Sequence, residues 1–306
     1  MTDSTKVQIV IPVHNRREIT RACLDRLVEL GIPRWAGVIV VDDGSTDGTG
    51  DMIRNQYAWA RVVKGDGSLW WTGAIALGMK AAIEAGADCV VWLNDDSLPD
   101  QGAIETVVQG ARSSQGICGG LCRGSDGNPV AYAGGIMQGI WPKALQAQDL
   151  EGKREIDVTW LHGNLVAIPE AVWRRCGLPD ARHMPHTLAD ISYTHGAHQL
   201  GIPVQILPTA TALAAANDSA SYWSWLDPRL SGRDLLRGLW QLKVWWYAPG
   251  IIWFQLHHFG GRGALSLGIL LIKLLMLAAA KAVTPVRWLK GLKIHWQRNS
   301  FSLAVW

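Results

Sequence analysis

Cysteine is scarce in this chain and follows no pattern. Its five residues, Cys23, Cys89, Cys118, Cys122 and Cys176, form no CxxC pair and are odd in number. That excludes a disulfide framework and reads as reduced, cytosolic thiols. No Gly-Lys-Ser/Thr occurs, which excludes a P-loop. Trp70 stands where a GxGxxG beginning at Gly65 needs its last glycine, so the dinucleotide fingerprint is missing too. There is no HExxH, and no cysteine accompanies His183, His186, His195 and His198, which therefore read as surface or hydrogen-bonded histidines rather than a zinc site. No secretory signal opens the sequence, because residues 1–6 are polar and the first apolar run is short and meets Pro12.

Acidic residues are nearly absent from the C-terminal tail. From Arg229 onward there are eleven Lys/Arg against one acid, Asp234, leaving 18 basic and 25 acidic residues before it. The net charge of +3 thus joins an acidic body to a basic tail, and seven of the 17 tryptophans lie in that tail. Basic residues mixed with Trp fit an anionic membrane surface. Long apolar runs between the charges argue against a nucleic-acid partner. With 306 residues, 48% hydrophobic and 18% charged, the chain can bury one large α/β core and carry an appendage.

Val7–Val13 reads as a first strand, closed by Pro12 and the polar His14-Asn15-Arg16-Arg17. A helix over 18–30 follows, with Ile19, Cys23, Leu27 and Leu30 at helical spacing and Gly31 as its stop. Residues 38–41 form a second strand running into Asp42-Asp43-Gly44-Ser45-Thr46-Asp47, and 61–64 a short third strand. The loop 65–73 leads into a helix over 74–85 whose first amides, at Gly73, face a phosphate. Residues 90–93 are a buried strand ending in Asn94-Asp95-Asp96, with Ser97 and Pro99 as its stop. The pattern then becomes irregular. It holds a strand over 116–121, a Gly-rich stretch over 124–139, and a strand or turn over 161–168. A helix follows that opens on 187–193 and ends near Gly201, and then a last strand over 204–207. This alternation predicts a parallel, doubly wound half.

In an open α/β sheet, ligands sit outside the carboxyl ends of the strands, so the acids at 95–96 project into a crevice. Crowded carboxylates repel unless a cation intervenes. A hard divalent ion, Mn2+ or Mg2+, that keeps waters and grips a diphosphate is the usual answer. In isolation Asp42-Asp43-Gly44 is a solvated turn and Asp190 a helix cap. Their place around strand ends gives them chemical meaning.

The segments Ile11-Pro12-Val13-His14-Asn15-Arg16, Val41-Asp42-Asp43-Gly44-Ser45-Thr46-Asp47, Leu93-Asn94-Asp95-Asp96 and Ala189-Asp190 occur in that order. Together they resemble glycosyltransferase family two, the inverting nucleotide-diphospho-sugar transferases of the GT-A fold, over roughly residues 7–207. The resemblance implies an α/β fold: a Rossmann-like, mostly parallel central sheet flanked by helices over residues 1–220. A hydrophobic, basic, helical extension would then occupy 221–306. It further implies that Pro12, His14 and Asn15 line the nucleotide pocket, and that Asp42 accepts from the base with Asp43 in support. Asp96 would bind the divalent metal, with Asp95 alongside, and Asp190 would be the general base. Trp71, His162, Gly163 and Asn164 fall on the acceptor side, Trp71 reading equally as a packing residue. Asn94 stands where the family's metal motif usually begins with Asp, and Ala189 where its base is commonly preceded by Glu.

Residues 264–283 form an apolar run long enough to span a bilayer. Lys273 at its centre costs about 2.5–3.5 kcal/mol, while each Leu or Ile returns about 0.3–0.6. Arg262, Ser266, Lys273 and Thr284 share one narrow stripe, which fits a helix lying in the interface. Trp240, Trp245, Trp246, Trp253, Trp288 and Trp296, with Lys290 and Lys293, supply headgroup-level anchors. A helix covering a core or a homodimer interface is the alternative.

The expectation is thus an inverting, metal-assisted glycosyltransferase. It takes a UDP- or dTDP-linked donor and a glycan or lipid-linked hydroxyl acceptor, and sits peripherally on the cytoplasmic, inner face of the membrane. The rivals are a sugar-phosphate nucleotidyltransferase, which wants a Gly-rich, Arg-containing loop where Pro12-Val13-His14-Asn15 stands, and a non-catalytic, membrane-associated sugar-nucleotide binder.

Overall fold

Alternation along each early strand decides the layering. In β1 (Val7–Val13), Ile9, Ile11 and Val13 enter one core cluster and Val10 the other. The same split divides Val38 and Val40 from Ile39 and Val41 in β2 (Gly37–Asp42), and Val91 and Leu93 from Val90 and Trp92 in β4 (Cys89–Leu93). A strand buried on both faces is what a helix-covered parallel sheet requires. The computed structural model describes residues 6–125, 129–130, 132–214, 231–242 and 247–283.

On one face lie α1 (Arg17–Glu29), α2 (Thr49–Gln56) and α4 (Ala103–Ser114). They contribute Cys23, Leu24, Leu27, Met52, Ile53, Ile104, Val107, Val108 and Ala111. On the other lie α3 (Trp70–Glu84), α6 (Glu170–Cys176) and α7 (Ala189–Gln199), with Ile75, Met79, Val172, Trp173, Tyr193 and Ala197. A Cβ at Gly78 of α3 would stand 2.3 Å from Val10 Cγ1, so the close seat of α3 on β1 depends on glycine.

The remaining strands are β3 (Ala60–Lys64), β5 (Ser97–Pro99), β6 (Ile117–Gly124), β7 (Gly134–Gln138), β8 (Trp141–Ala144), β9 (Ile156–Asp157), β10 (Trp160–Leu161), β11 (Leu165–Pro169) and β12 (Val204–Ala214), with a short α5 (Ala147–Leu150). The main sheet runs β3-β2-β1-β4-β11-β6-β12-β5, with β9 beside β12. The first four strands are mutually parallel. β11 inserts antiparallel to both β4 and β6, and β12 is parallel to β6 but antiparallel to β5 and β9. All five cysteines are free.

Several bounds differ from the sequence reading. α3 begins at Trp70, so Trp70 and Trp71 are helical rather than in a loop. Residues 103–114, read as irregular, form α4. Ser97 and Pro99 do not simply end β4; they belong to β5. β12 passes Pro208 and reaches Ala214, absorbing the proline through a register shift between Ile206 and Thr211.

The chain divides into two compact units, one of residues 1–136, 144–185 and 189–216, the other of 137–143, 186–188 and 217–306. The boundary expected at 220 lies outside the described residues, as do Trp245, Trp246, Thr284, Trp288, Lys290, Lys293 and Trp296. In the second unit, Ser231 caps α8 (Gly232–Gly238) by accepting from Asp234 N–H at 3.2 Å. α9 (Ala248–Val283) is broken by non-helical Gly260 (φ 53°, ψ −126°). By length and composition α9 is able to cross a membrane, and Leu265, Ile272 and Met276 along it are 70%, 60% and 68% exposed.

Candidate active site

The register of four adjacent strands gathers the site. Val13 of β1 pairs with Asp42 of β2, Val10 with Trp92 of β4, and Leu165 of β11 with Leu93. The carboxyl ends of β2, β1 and β4 and the amino end of β11 therefore share one edge. Residues 12–16, 42–47, 94–97 and 162–164 all emerge there. A surface recess of about 440 Å³ lined by Asp88, Arg112, Glu170 and Arg174 lies at the other end of β4, away from these groups.

Asp43, buried, organises the first half. Its Oδ1 accepts from Gly67 N–H at 2.8 Å and its Oδ2 from Trp70 N–H at 3.0 Å, fixing the loop before α3. Trp70 makes this bond at φ 55°, a conformation costly for a bulky residue and concentrated at functional sites. His14 Nδ1 donates to the carbonyl of Asp43 at 2.6 Å. Asn15 Oδ1 accepts from Thr46 N–H at 2.7 Å, and Asn15 Nδ2 donates to His14 Nε2 at 3.0 Å. Those partners assign the Nδ1–H tautomer to His14. Asn15 N–H also reaches Ser45 Oγ at 2.9 Å. His14 and Asn15 thus clip the loop after β1 to the loop after β2. Asp42 Oδ1 accepts from Ser45 N–H at 3.0 Å, and Pro12 pairs with Val41 within the sheet. Gly73 N–H donates to Leu69 O at 3.0 Å, so the amide expected to face a phosphate is used inside the helix.

Arg16 occupies the second half. Its Nη1 lies 3.2 Å from Asp95 Oδ1 and its Nη2 donates to Asp96 Oδ2 at 2.9 Å. Thr20, one turn along α1, donates its hydroxyl to Asp95 Oδ2 at 3.0 Å. Burial pushes Asp95 up to about 6; Arg16 and Thr20 pull it down, and Asp96 adds to the rise. Among the described residues no group of three or more His, Cys, Asp or Glu is arranged to hold a metal ion. Protein ligands here are one or two carboxylates, a donor set that fits a hard ion completed by phosphate and water.

The third part joins the start of α3, the tip of β4 and the starts of β11 and α7. Trp71 Nε1 donates to Asn94 Oδ1 at 2.8 Å, so Asn94 anchors an indole where an acid was expected. The Trp71 ring meets Trp92 edge-on at 5.6 Å and lies against Gly163, where a Cβ would stand 2.4 Å from Cζ2. Asp190, in the first turn of α7, accepts from Gly163 N–H at 2.9 Å through Oδ2 and from Ile191 N–H at 2.8 Å through Oδ1. His162 Nδ1 lies 3.7 Å from the same Oδ2, and the His162 ring is held edge-on by Trp160 and Tyr132. Burial raises the carboxyl of Asp190, but His162 and the two amides outweigh it and hold it below its ordinary value. Asn164 Nδ2 donates to Ser97 Oγ at 3.3 Å, and its carbonyl accepts from Asn94 N–H at 3.2 Å.

Residues 8–164, just over half of the chain, match the family described as glycosyl transferase family 2. The chain belongs to glycosyl transferase family 2. A probable glycosyltransferase, YdaM, of Bacillus subtilis (strain 168) is 26% identical over 119 residues. That stretch is 38% of this chain and spans only 28% of the relative's length. Among solved structures, the mannosyltransferase PcManGT from Pyrobaculum calidifontis, in complex with GDP-Man and Mn2+, aligns with TM-score 0.55 at 17% identity, covering 96% of this chain and 81% of that one. GalNAc-T7 with UDP, GalNAc and Mn2+ aligns with TM-score 0.58 at 13% identity, covering 99% and 59%. At such identities the likeness is one of fold, and the fold is GT-A.

Of the site residues expected from the sequence, Pro12, His14, Asn15, Asp42, Asp43, Asp95, Asp96, His162, Gly163 and Asn164 lie along this sheet edge, Trp71 and Asp190 lie on α3 and α7 beside it, and the Gly73 amide is used inside α3. Arg16 and Thr20 were missed as site residues. The available signal was a basic residue one position past Asn15 and a hydroxyl four residues later, at the start of the same helix. Of the histidines at 183, 186, 195 and 198, His183 Nδ1 pairs with Asp180 Oδ2 at 2.7 Å and His195 Nδ1 with Thr159 O at 3.2 Å.

Proposed function

We propose that this family 2 chain is an inverting glycosyltransferase. It moves a sugar from a nucleoside-diphosphate donor, UDP- or dTDP-linked, to a hydroxyl of a glycan or lipid-linked acceptor. The observation that carries the reading is Asp190. Its carboxylate is steered by Gly163 and Ile191 amides, kept ionised by its surroundings, and linked through Gly163 and Trp71 to Asn94 at the tip of β4. A carboxylate so placed takes the proton of an attacking hydroxyl, the one base that inversion by direct displacement needs. Asp43, His14 and Asn15 shape the nucleotide side by pinning three loops together. Asp96, with Asp95 alongside, would hold a divalent ion, Mn2+ or Mg2+. When bound, that ion supplies charge neutralisation at the diphosphate.

The tail supports a location. Leu265, Ile272 and Met276 are exposed on α9, and such apolar surface marks a partner or a membrane. Peripheral attachment to the cytoplasmic leaflet would bring the site to a lipid-linked acceptor.

A thermal-shift panel of UDP-, dTDP- and GDP-sugars with and without Mn2+ tests this, on wild type and Asp190→Asn. A ligand at 100 times its Kd stabilises by about 2.7 kcal/mol. One donor should shift both proteins in the presence of Mn2+, while only wild type turns it over. No shift with any nucleotide sugar refutes the reading. Binding by both, with turnover by neither on candidate acceptors, favours the non-catalytic binder.

A further inference from the structure

We propose that Arg16 is a built-in counter-cation that bars a bare divalent ion from Asp95 and Asp96 and admits one only together with a diphosphate. The inference rests on the reading of Asp96 as the metal-holding carboxylate. It concerns a residue that neither the sequence motifs nor the likeness to other glycosyltransferases assigns.

The geometry is that of a fork across two acids. One guanidinium nitrogen lies 3.2 Å from Asp95 Oδ1, and the other donates to Asp96 Oδ2 at 2.9 Å. Planar, paired N–H groups suit this bridging as a lysine ammonium does not. Both oxygens of Asp95 then have a donor, because Thr20 donates to its second oxygen at 3.0 Å. The arrangement is built into the start of α1. Arg16 is the N-cap of α1 and Thr20 stands in its first turn, its N–H donating to Arg16 O at 2.8 Å, and both side chains reach the acids at the tip of β4.

Charge counting gives the consequence. Two carboxylates and one guanidinium leave a net charge of −1, and both oxygens of Asp95 and one of Asp96 already face a donor. A small divalent ion sheds its water reluctantly and normally takes several charged ligands at once. Among the described residues no group of three or more His, Cys, Asp or Glu is arranged to make up the difference. An arriving nucleoside diphosphate brings the missing negative charge and oxygens, and also gives the guanidinium an anionic partner. Arg16 therefore makes metal and nucleotide uptake interdependent, and protects the acid pair from ions in the absence of a donor.

The test is Mn2+ binding by the full-length protein, followed through loss of the free-ion EPR signal, with no nucleotide and with UDP, dTDP or GDP. Arg16→Gln should bind bare Mn2+ at least fivefold more tightly than wild type, while both take up Mn2+ with a suitable diphosphate. A smaller gain overturns the proposal. Adding Asp96→Asn to Arg16→Gln should abolish the gain, and its persistence also overturns the proposal. Should Arg16→Gln not fold, Arg16→Lys keeps the charge but spans only one acid. It should then gain about threefold, and no gain refutes the idea. Failure of wild type to bind Mn2+ with any of the diphosphates sinks the functional reading instead, so the two failures are distinguishable.

Discussion

Gly163 lies between the Trp71 indole and Asp190, and Gly163→Ala should disturb both. The new Cβ would stand 2.4 Å from Trp71 Cζ2, 2.6 Å from Cη2 and 3.3 Å from Asp190 Cβ. Ordinary carbon contacts lie near 3.5–4.0 Å, so the indole must retreat by about 1 Å. It has little freedom to do so, being edge-on to Trp92 at 5.6 Å and bonded to Asn94 at 2.8 Å. Overpacking costs about 1–3 kcal/mol and the lost hydrogen bond about 0.5–1.5. A destabilisation of about 2–4 kcal/mol in urea denaturation is therefore expected. On the proposed mechanism, displacing Asp190 or the strand tip by about 1 Å should lower turnover roughly a hundredfold. Trp71→Ala in the same background should recover most of the loss in a double-mutant cycle, because the clash has no second partner of that size. Wild-type stability within about 0.5 kcal/mol for Gly163→Ala alone would refute the reasoning.

Asp190→Asn offers one acceptor oxygen to two N–H donors, so it should cost about 1–3 kcal/mol in denaturation and reduce turnover by about 10²–10⁴. Because the Asp190 carboxyl is held below its ordinary value, its stabilisation is present above about pH 4 and lost as pH falls through the depressed value. The melting temperatures of wild type and Asp190→Asn should therefore converge as pH drops below about 4. Gly78→Ala drives a methyl into Val10 and should destabilise by about 1–3 kcal/mol with donor affinity retained in the folded fraction. Replacing Leu265, Ile272 and Met276 together by Gln should reduce co-sedimentation with anionic vesicles severalfold. Each substitution should change stability by only about 0.5 kcal/mol, since all three side chains are exposed.

Much of this arrangement was legible in the chain before any coordinates. Val7–Val13 has the limits that its apolar run and Pro12 predict, because a strand buried on both faces leaves an uninterrupted signature. The acids beyond β2 and β4 converge because parallel strands must deliver their ends to one edge. What escaped depends on partners far away in sequence. Arg16 looks like loop polarity until β4 brings Asp95 and Asp96 beside it, some 80 positions on. Asn94 looks like a weakened metal ligand until Trp71 supplies its donor. The helical start at Trp70 was hidden because that residue takes a positive φ with its N–H held by Asp43, a partner distant in sequence. α4 was legible in the spacing of Ile104, Val107, Val108 and Ala111, but glycines and polar residues around it obscured the pattern.

The insertion of β11 against β4 bears on where the enzyme could be divided. The stretch that matches the family ends at residue 164, one position before β11 begins. A fragment cut there would leave β4, five residues wholly shielded in the intact sheet, with one unpaired rim of amides and carbonyls. Such a rim invites pairing with another chain and precipitation. It would also lack the carboxylate at 190. The minimal autonomous piece must therefore reach through β12 to Ala214, and shorter versions should be recovered only as aggregates.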